Sequence, residues 1–251
     1  MKSLFYILAI ALLAAGLIVF AGGCAPDEPV NEVEEVIEPV DNDYNENNDF
    51  YDQQIELPEP GVEQKTVSEA LYERSSRRDF KTEGLSLEEV GNLLWAAGGV
   101  GVDGVSGATR TAPSAGGIYP LDIYLVAGIE NEGFAAGVYR YAHESHALEP
   151  VAEGDRLELL SASALDQVFI KEAPVNIVLV GHYEQTTAHY GDRGGRYVHM
   201  DAGYASQNIY LMAEELDLGT VAVGAFDDSE VAEILETGGS PLKIMPVGRV
   251  E

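Results

Sequence analysis

A proline-bounded, glycine-rich turn that leads straight into an apolar segment constrains this chain more than any other stretch. Residues 110–120 read Arg-Thr-Ala-Pro-Ser-Ala-Gly-Gly-Ile-Tyr-Pro, and proline and glycine at these positions argue against a helix or a central strand. The largely apolar residues 121–127 that follow predict a buried strand. Small side chains beside such a strand let backbone amides and carbonyls approach a flat ligand. An ordinary turn before a strand is the alternative interpretation.

The charge and cysteine content of the chain narrow its possible partners. The 251 residues leave room for one sizeable domain with appendages. Their formal net charge is -29, and residues 25–64 contain 14 Asp and Glu but no Lys or Arg. Such a surface repels phosphate backbones, which argues against nucleic acid binding. The single cysteine, Cys24, excludes an intramolecular disulfide framework or a cysteine-based metal cluster within one chain, and the sequence predicts no metal site.

The first 23 residues have the pattern of a secretory signal peptide. Lys2 precedes the uncharged, apolar residues 4–21, and Gly22 and Gly23 stand directly before Cys24. This arrangement resembles the lipobox of bacterial lipoproteins, in which the cysteine is acylated after cleavage and becomes the new N-terminus. Because the apolar run of about 18 residues is near the lower limit for crossing a bilayer, an uncleaved signal anchor is the alternative. Both interpretations place the rest of the chain outside the cytoplasm, tethered to the cell membrane.

Residues 24–64 are predicted to be an acidic, disordered linker. They are rich in Asn, punctuated by Pro and poor in large apolar side chains, so burial cannot offset the entropy that is lost on ordering. Like charges would extend such a spacer. The remaining residues, 65–251, are predicted to form one folded domain.

Capping signals and apolar periodicity predict the elements of this domain. Thr66 or Ser68 is suited to cap a first helix, and Ser86 with Glu89 forms the capping box of a second. The longest predicted helix covers residues 195–216. Strands are predicted at residues 121–127, 137–141, 146–149, 175–181, 220–226 and 242–250.

Three arginines and two serines occupy residues 74–78, at the end of the first predicted helix of a very acidic chain. Guanidinium forks and hydroxyls together suit a phosphate monoester. Cations placed against the negative end of a helix are the alternative interpretation. Further along, Gln207 and Asn208 interrupt an apolar helix, and such amides are costly to bury unless backbone or a ligand satisfies them.

Six segments, taken in order, resemble the FMN-dependent nitroreductase superfamily, and in particular its SagB/thiazole-oxidase branch of dehydrogenases. They read Arg-Ser-Ser-Arg-Arg-Asp-Phe at 74–80, Pro-Ser-Ala-Gly-Gly-Ile-Tyr-Pro at 113–120, Arg-Tyr-Val-His-Met-Asp-Ala-Gly at 196–203, Gln-Asn at 207–208, Val-Ala-Val-Gly-Ala-Phe at 221–226 and Pro-Val-Gly-Arg at 246–249. The resemblance covers residues 65–251. It implies an α+β fold with a mostly antiparallel sheet flanked by helices, in an intertwined homodimer that binds FMN at its interface.

The resemblance also implies which residues bind the cofactor. The family's phosphate-binding pattern matches Arg74, Ser76 and Arg78, and its C-terminal arginine matches Arg249, while Val247 stands where a basic partner is frequent. The loop beside the isoalloxazine ring matches Pro113, Ser114, Ala115 and Gly116. The segment that passes the flavin N5 edge matches Val223 and Gly224, and Gln207 lies in the helix behind the flavin.

The implied activity is that of an FMN-dependent oxidoreductase that transfers hydride between a small-molecule substrate and bound flavin. The protein would position the flavin and tune its electronics, with the backbone amide of Gly224 near N5 in place of a titratable catalytic group. Four side chains crowd one glycine-rich stretch and suit either a substrate mouth or a cap on the core: Tyr183, His189, Tyr190 and Tyr197.

Export changes the expected redox partner, because nicotinamide cofactors are cytosolic. We therefore expect a dehydrogenase direction, in which the substrate reduces FMN and a membrane quinone or oxygen reoxidises it. Two alternatives stay open, because a fold does not fix a function. One is a flavin-binding electron carrier without its own substrate, and the other is a cofactor-free binding lipoprotein on the same scaffold.

Overall fold

The computed structural model describes residues 49–52, 54–61, 65–101, 109–129 and 131–251. The predicted signal peptide, Cys24 and most of the predicted linker therefore lie outside the described residues. Within the described part of the chain, no helix combines the length and apolar character needed to cross a membrane.

The described residues form a seven-stranded sheet in which every paired strand is antiparallel to its neighbour. The strand order is β1-β4-β3-β2-β5-β7-β6. The strands are β1 (Ile55–Glu56), β2 (Leu121–Ala127), β3 (Gly137–Ala142), β4 (Ala147–Glu153), β5 (Val175–Gly181), β6 (Leu218–Thr220) and β7 (Ser240–Arg249). This sheet confirms the predicted, mostly antiparallel architecture.

Helices lie against both faces of the sheet. They are α1 (Asp49–Asp52), α2 (Val67–Glu73), α3 (Leu87–Gly98), α4 (Leu157–Ser163), α5 (Phe169–Glu172), α6 (Tyr183–Tyr190), α7 (Gly194–Glu215) and α8 (Asp228–Ile234). On β2, Ile123 and Leu125 belong to the core shared with α3 and α7, whereas Tyr124 and Val126 belong to the core shared with α4 and α8. A central strand covered on both faces has apolar residues at successive positions rather than alternate ones, which explains the nearly continuous apolar runs of β2 and β5.

Two helix starts follow directly from their sequence signals. The Thr66 hydroxyl accepts the backbone N–H of Glu69, whose carboxylate in turn accepts the Thr66 backbone N–H. Ser86 and Glu89 make the same reciprocal pair at the start of α3. These hydrogen bonds confirm both predicted helix starts. Each such cap stabilises its helix by about 1 kcal/mol.

The predicted strand at 220–226 is shorter in the structure, and this prediction was wrong beyond Thr220. Regular pairing in β6 ends at Thr220, and Val223 makes only an isolated bridge with Ile244. The backbone N–H of Ala222 donates instead to the Tyr210 hydroxyl at 2.9 Å. A helix side chain thus takes the place of a strand partner in this segment.

The described part of the predicted linker differs from a free spacer. Ile55 and Glu56 pair with β4, and the Leu57 side chain is buried in the core. The Leu57 N–H donates to the His146 carbonyl at 3.0 Å. Ile55 and Leu57 are two residues apart, which is the period of a strand with one apolar face. This short pattern attaches residues 54–61 to the domain, before the predicted boundary at residue 65.

Candidate functional site

The end of α2 places Arg74 and Ser76 together over the side of α7. The Arg74 guanidinium stacks on the Tyr210 ring, 5.2 Å from its centroid. The Ser76 hydroxyl lies 3.0 Å from the Tyr210 hydroxyl, which also accepts the Ala222 N–H. Ser76 is exposed and Arg74 is half-buried. A cation, a hydroxyl and a phenol therefore meet at an open surface, which suits a phosphate group.

The other two predicted phosphate ligands have different surroundings. Arg78 is exposed, with its guanidinium 5.7 Å from the centre of the Phe169 ring. Arg249 makes ion pairs at 3.0 Å with both Glu83 and Glu89. Arg249 is therefore not a free cation in this structure, and its assignment to the phosphate from the family resemblance stays a prediction. Two carboxylates already neutralise its charge.

The Pro113–Gly116 turn is fixed to α7 by a buried carboxylate. Asp201 is only 4% exposed, and it accepts the Ser114 hydroxyl at 2.6 Å as well as the backbone N–H of Ala115. The Ser114 oxygen also accepts the Tyr119 N–H at 2.9 Å. Burial raises the pKa of Asp201, and the Ser114 hydrogen bond opposes that rise. The Ser114 hydroxyl is thus engaged within the chain, so the turn offers a ligand its backbone rather than this side chain.

The outer edge of the turn is open backbone. Gly116 is exposed and has φ +65°, a conformation that costs other residues energy. A side chain there would also approach the Tyr190 hydroxyl to 2.5 Å. Tyr190 packs edge-on against His189 and Tyr197. One member of the aromatic group predicted from the sequence, Tyr190, therefore lies beside this turn.

The Val223–Gly224 segment lies beside β7. Val223 is buried and exchanges both backbone hydrogen bonds with Ile244, while Gly224 is exposed. The Lys243 ammonium approaches to 3.1 Å the position that a side-chain carbon on Gly224 would take. A cation thus accompanies the backbone segment that the family resemblance assigns to the flavin.

Within one chain, the turn and the Arg74–Ser76 pair lie on opposite sides of α7. Asp201 holds the turn and Tyr210 holds the pair, and these two residues are nine positions apart in the helix. At 100° and 1.5 Å per residue, nine positions correspond to a half-turn difference in direction and about 14 Å along the axis. Gln207 is exposed, and Gly203 has open space where a side-chain carbon would lie. The surface around Gly203 and Gln207 is open enough for a flat ligand.

His199 and Asp201 do not form a catalytic pair. The Tyr183 hydroxyl contacts His199 at 3.0 Å, whereas Asp201 faces Ser114. This separation confirms the expectation from helical spacing, because residues two positions apart point in different directions.

Sequence reasoning missed Tyr210, which links Ser76 to the Ala222 backbone. Its only signal in the sequence was its place three residues after Gln207, on a neighbouring part of the same helix surface. Trp95 is partly exposed and lines a groove of about 460 Å³ between α2, α3 and α7.

Comparison with known proteins identifies relatives of this arrangement. The family model described as "Nitroreductase family" matches residues 71–249. A candidate nitroreductase of Methanocaldococcus jannaschii, MJ1384, is 42% identical over 199 residues, which cover 78% of this chain and 96% of that protein. The crystal structure of a candidate nitroreductase from Ralstonia eutropha superposes with a TM-score of 0.68 at 28% identity, covering 79% of this chain and 90% of that one.

A third relative takes part in the processing of microcin B17. The microcin B17-processing protein McbC of Escherichia coli is 33% identical over 130 residues, 50% of this chain and 48% of McbC. The structure of the E. coli microcin synthetase McbBCD complex with truncated pro-MccB17 contains a chain that matches with a TM-score of 0.61 and 26% identity. That match covers 87% of this chain and 85% of the other. Both similarities support the predicted SagB-like branch.

Proposed function

The chain belongs to the nitroreductase family, and we propose that it is an FMN-dependent oxidoreductase of the SagB-type dehydrogenase class. The observation that carries this proposal is the cluster of Arg74, Ser76 and Tyr210 beside the Ala222 backbone. It supplies charge-assisted and neutral hydrogen-bond donors at an exposed surface, which is what a phosphate monoester needs.

The residues present fit the whole cofactor as well as its phosphate. Exposed Arg78 can add a second cation to the phosphate group. The open surface at Gly203 and Gln207 has room for a ring system, and Gly116 presents backbone without a side chain. Arg249 is left out of this set because its guanidinium is paired with two carboxylates.

We infer that two copies of the chain complete one flavin site. The phosphate cluster and the Pro113–Gly116 turn face opposite sides of α7, so this helix lies between them within a single chain. Large apolar side chains are also exposed on both α2 and α7, which is a feature of protein interfaces. They are Val67, Leu71 and Tyr72 on α2, and Met200 and Tyr204 on α7. A homodimer would cover these side chains and bring the turn of one chain to the phosphate cluster of the other.

The chemistry would be divided between cofactor and protein. FMN, when bound, supplies hydride transfer with a small-molecule substrate. The chain would bind the phosphate through Arg74 and Ser76, orient the ring with the Pro113–Gly116 backbone and the Gly224 amide, and place the Lys243 charge nearby. Tyr190 would limit access of water where it covers Gly116.

We further propose that the domain is held outside the cytoplasm by a lipid on Cys24, or by an uncleaved signal anchor. The support is the pattern of residues 1–24, in which a basic residue, an apolar run and two glycines precede the single cysteine. Because nicotinamide cofactors are cytosolic, they would not be available to a domain outside the cytoplasm. A membrane quinone or oxygen is therefore the proposed electron acceptor. Rapid reoxidation of the reduced protein by NAD+ but not by a quinone analogue would contradict this direction.

The test is flavin binding followed by anaerobic reduction. The purified protein, reconstituted with FMN, should show a flavin spectrum, and a donor panel should bleach it. Arg74→Ala should weaken FMN binding about 10- to 100-fold, the range for losing a hydrogen bond to a charged group. Arg156→Ala is a matched control, because Arg156 pairs with Glu236 instead. Equal FMN affinity of the two variants would refute the phosphate assignment, and flavin that no donor reduces would favour an electron carrier.

A further inference from the structure

Lys243 is a lysine in the interior of the sheet. It lies on β7, whose neighbours in the sheet are β5 and β6, and it is paired with Leu179 of β5. The residues beside it in the strand, Leu242, Ile244 and Met245, are all apolar, and its own side chain is only partly exposed. Lysine is depleted in strands, and a lysine that serves solubility is expected on an edge strand. Solvation alone therefore does not account for the position of Lys243.

The Lys243 ammonium has no counter-ion within the part of the chain that the structure describes. No carboxylate there lies within ion-pair distance of it, whereas Lys65 and Lys171 are both paired with carboxylates. Carboxylates are not scarce, because the chain contains 43 Asp and Glu against 14 Lys and Arg. A partly buried cation without a counter-ion is suited to a ligand that carries negative charge.

This ammonium stands at one end of a short backbone segment whose other end is held by the phosphate cluster. The Ala222 N–H donates to the Tyr210 hydroxyl of that cluster at 2.9 Å. Two residues further on, the Lys243 ammonium lies 3.1 Å from the position of a side-chain carbon on Gly224. Val223 between them makes a strand-like bridge, so Ala222 and Gly224 are about 7 Å apart. The sugar-alcohol chain of FMN joins phosphate and ring over a comparable length, and a flavin whose phosphate is bound at the cluster would have its ring beside Lys243.

The charge of a flavin changes when it is reduced. A hydride carries one proton and two electrons, so its transfer from a substrate leaves the substrate oxidised by two electrons and the flavin with one additional negative charge. A cation beside the ring interacts more favourably with this anion than with the neutral oxidised ring. A site that prefers the reduced form makes the bound flavin a stronger oxidant of its substrate.

We propose that Lys243 makes the chain bind reduced FMN more tightly than oxidised FMN, and that it thereby favours the direction in which a substrate reduces the flavin. This inference rests on the proposed function and extends it, because it assigns the redox preference of the site to one side chain. The phosphate cluster holds the cofactor in either redox state, whereas Lys243 distinguishes the two states.

The test compares the affinities of the purified full chain for the two redox states of FMN. Absorbance titration gives the dissociation constant of oxidised FMN, and the reduction potential of bound relative to free FMN gives the ratio of the oxidised to the reduced dissociation constant. Lys243→Met keeps a long, unbranched side chain but removes the charge. The ratio should therefore fall about 10- to 100-fold, as expected for one unit charge several ångströms from the ring. A tenfold fall corresponds to about 30 mV for a two-electron couple.

Two further variants separate charge from packing. Lys243→Arg retains the charge and should keep a ratio close to that of the unchanged protein. Arg140→Met removes a cation from β3, which lies three strands away from β7 in the sheet. Because solvent and salt screen a charge at that distance, this control should leave the ratio unchanged.

Equal ratios for Lys243→Met and Arg140→Met would overturn the inference. A loss of affinity that is the same for oxidised and reduced FMN would do so as well, because it would mean that Lys243 acts only through packing. If the unchanged chain binds neither form of FMN, the proposed function fails together with this inference. If it binds FMN and the ratio is insensitive to Lys243, only this inference fails. Thermal unfolding of each variant establishes that it is folded.

Discussion

Replacing Ser114 by Ala tests whether one hydroxyl fixes the turn against α7. The Ser114 oxygen donates its hydrogen to buried Asp201 at 2.6 Å and accepts the Tyr119 N–H at 2.9 Å. The change removes both bonds and leaves a half-buried N–H without its acceptor. It also removes one of the two hydrogen bonds that stabilise the Asp201 carboxylate.

The expected cost follows from the two lost contacts. A hydrogen bond to a charged group contributes about 1.5–3 kcal/mol, and a neutral one contributes about 1 kcal/mol. Because neighbouring contributions are not fully additive, we expect the free energy of unfolding to fall by about 3 kcal/mol. Ser206→Ala is the matched control, since Ser206 is buried on α7 and its hydroxyl donates to the Ala202 carbonyl in the preceding turn. Such a change within a helix is near neutral.

The cost should depend on pH in one direction. Burial raises the folded-state pKa of Asp201, and the Ser114 bond lowers it, so the variant's carboxyl has a still higher folded-state pKa. A group with a raised folded pKa stabilises the protein fully below its unfolded pKa, and that stabilisation is lost as pH rises through the folded pKa. As pH rises through this range, Ser114→Ala therefore loses more stability than the unchanged protein does. The difference in stability should therefore be larger at pH 7 than near pH 4.

Urea unfolding of the flavin-free protein at a series of pH values measures both quantities. The midpoint should shift while the slope with denaturant stays constant. A Ser114→Ala cost within about 0.5 kcal/mol of the Ser206→Ala cost would refute the reasoning. A difference that shrinks as pH rises would refute the assignment to Asp201.

Three further changes test other parts of the structure. Arg249→Gln should lower the free energy of unfolding by about 1–2 kcal/mol, because it breaks two partly buried ion pairs. If this variant instead weakens FMN binding as much as Arg74→Ala does, then Arg249 contacts the phosphate. Gly116→Ala should lower the free energy of unfolding in urea by about 1–3 kcal/mol, because the new side chain would sit on a backbone with positive φ and clash with the Tyr190 hydroxyl. An unchanged urea midpoint would contradict the observed turn. The ring protons of His143 should titrate near pH 4 in an NMR series, whereas titration near 6.5 would show that the ring is solvated. A histidine whose pKa is lowered in the folded state stabilises the protein less as pH falls, so the difference in free energy of unfolding between the unchanged protein and His143→Leu should shrink from pH 7 to pH 5.

Much of the fold could be predicted because its signals are local. The Thr66 and Ser86 caps need only a side chain and the first turn of the helix that follows. The strands at 121–127 and 175–181 match the observed bounds, because a strand buried on both faces is apolar at successive positions. The residues that resemble the nitroreductases were likewise visible in order along the sequence.

The site was less predictable because its contacts join distant parts of the chain. Tyr210 takes the Ala222 N–H, which interrupts a segment whose composition alone favours a strand. Arg249 matches a phosphate-binding position by sequence, yet its guanidinium meets two carboxylates near the start of α3. Neither outcome depends on residue type alone, because competing partners decide it.

The sequence by itself determined the starts of α2 and α3, the bounds of β2 and β5, and which residue types are available for a phosphorylated cofactor. Those properties depend on neighbours within one or two turns of a helix, or on the run of apolar residues along a strand. Only the tertiary structure decided that Ser114 is held by Asp201, that Arg110 and His143 share a cleft, and that the two halves of the proposed flavin site lie on opposite sides of α7. Side-chain direction around a packed helix depends on all of its neighbours at once, and this information is absent from any single stretch of sequence.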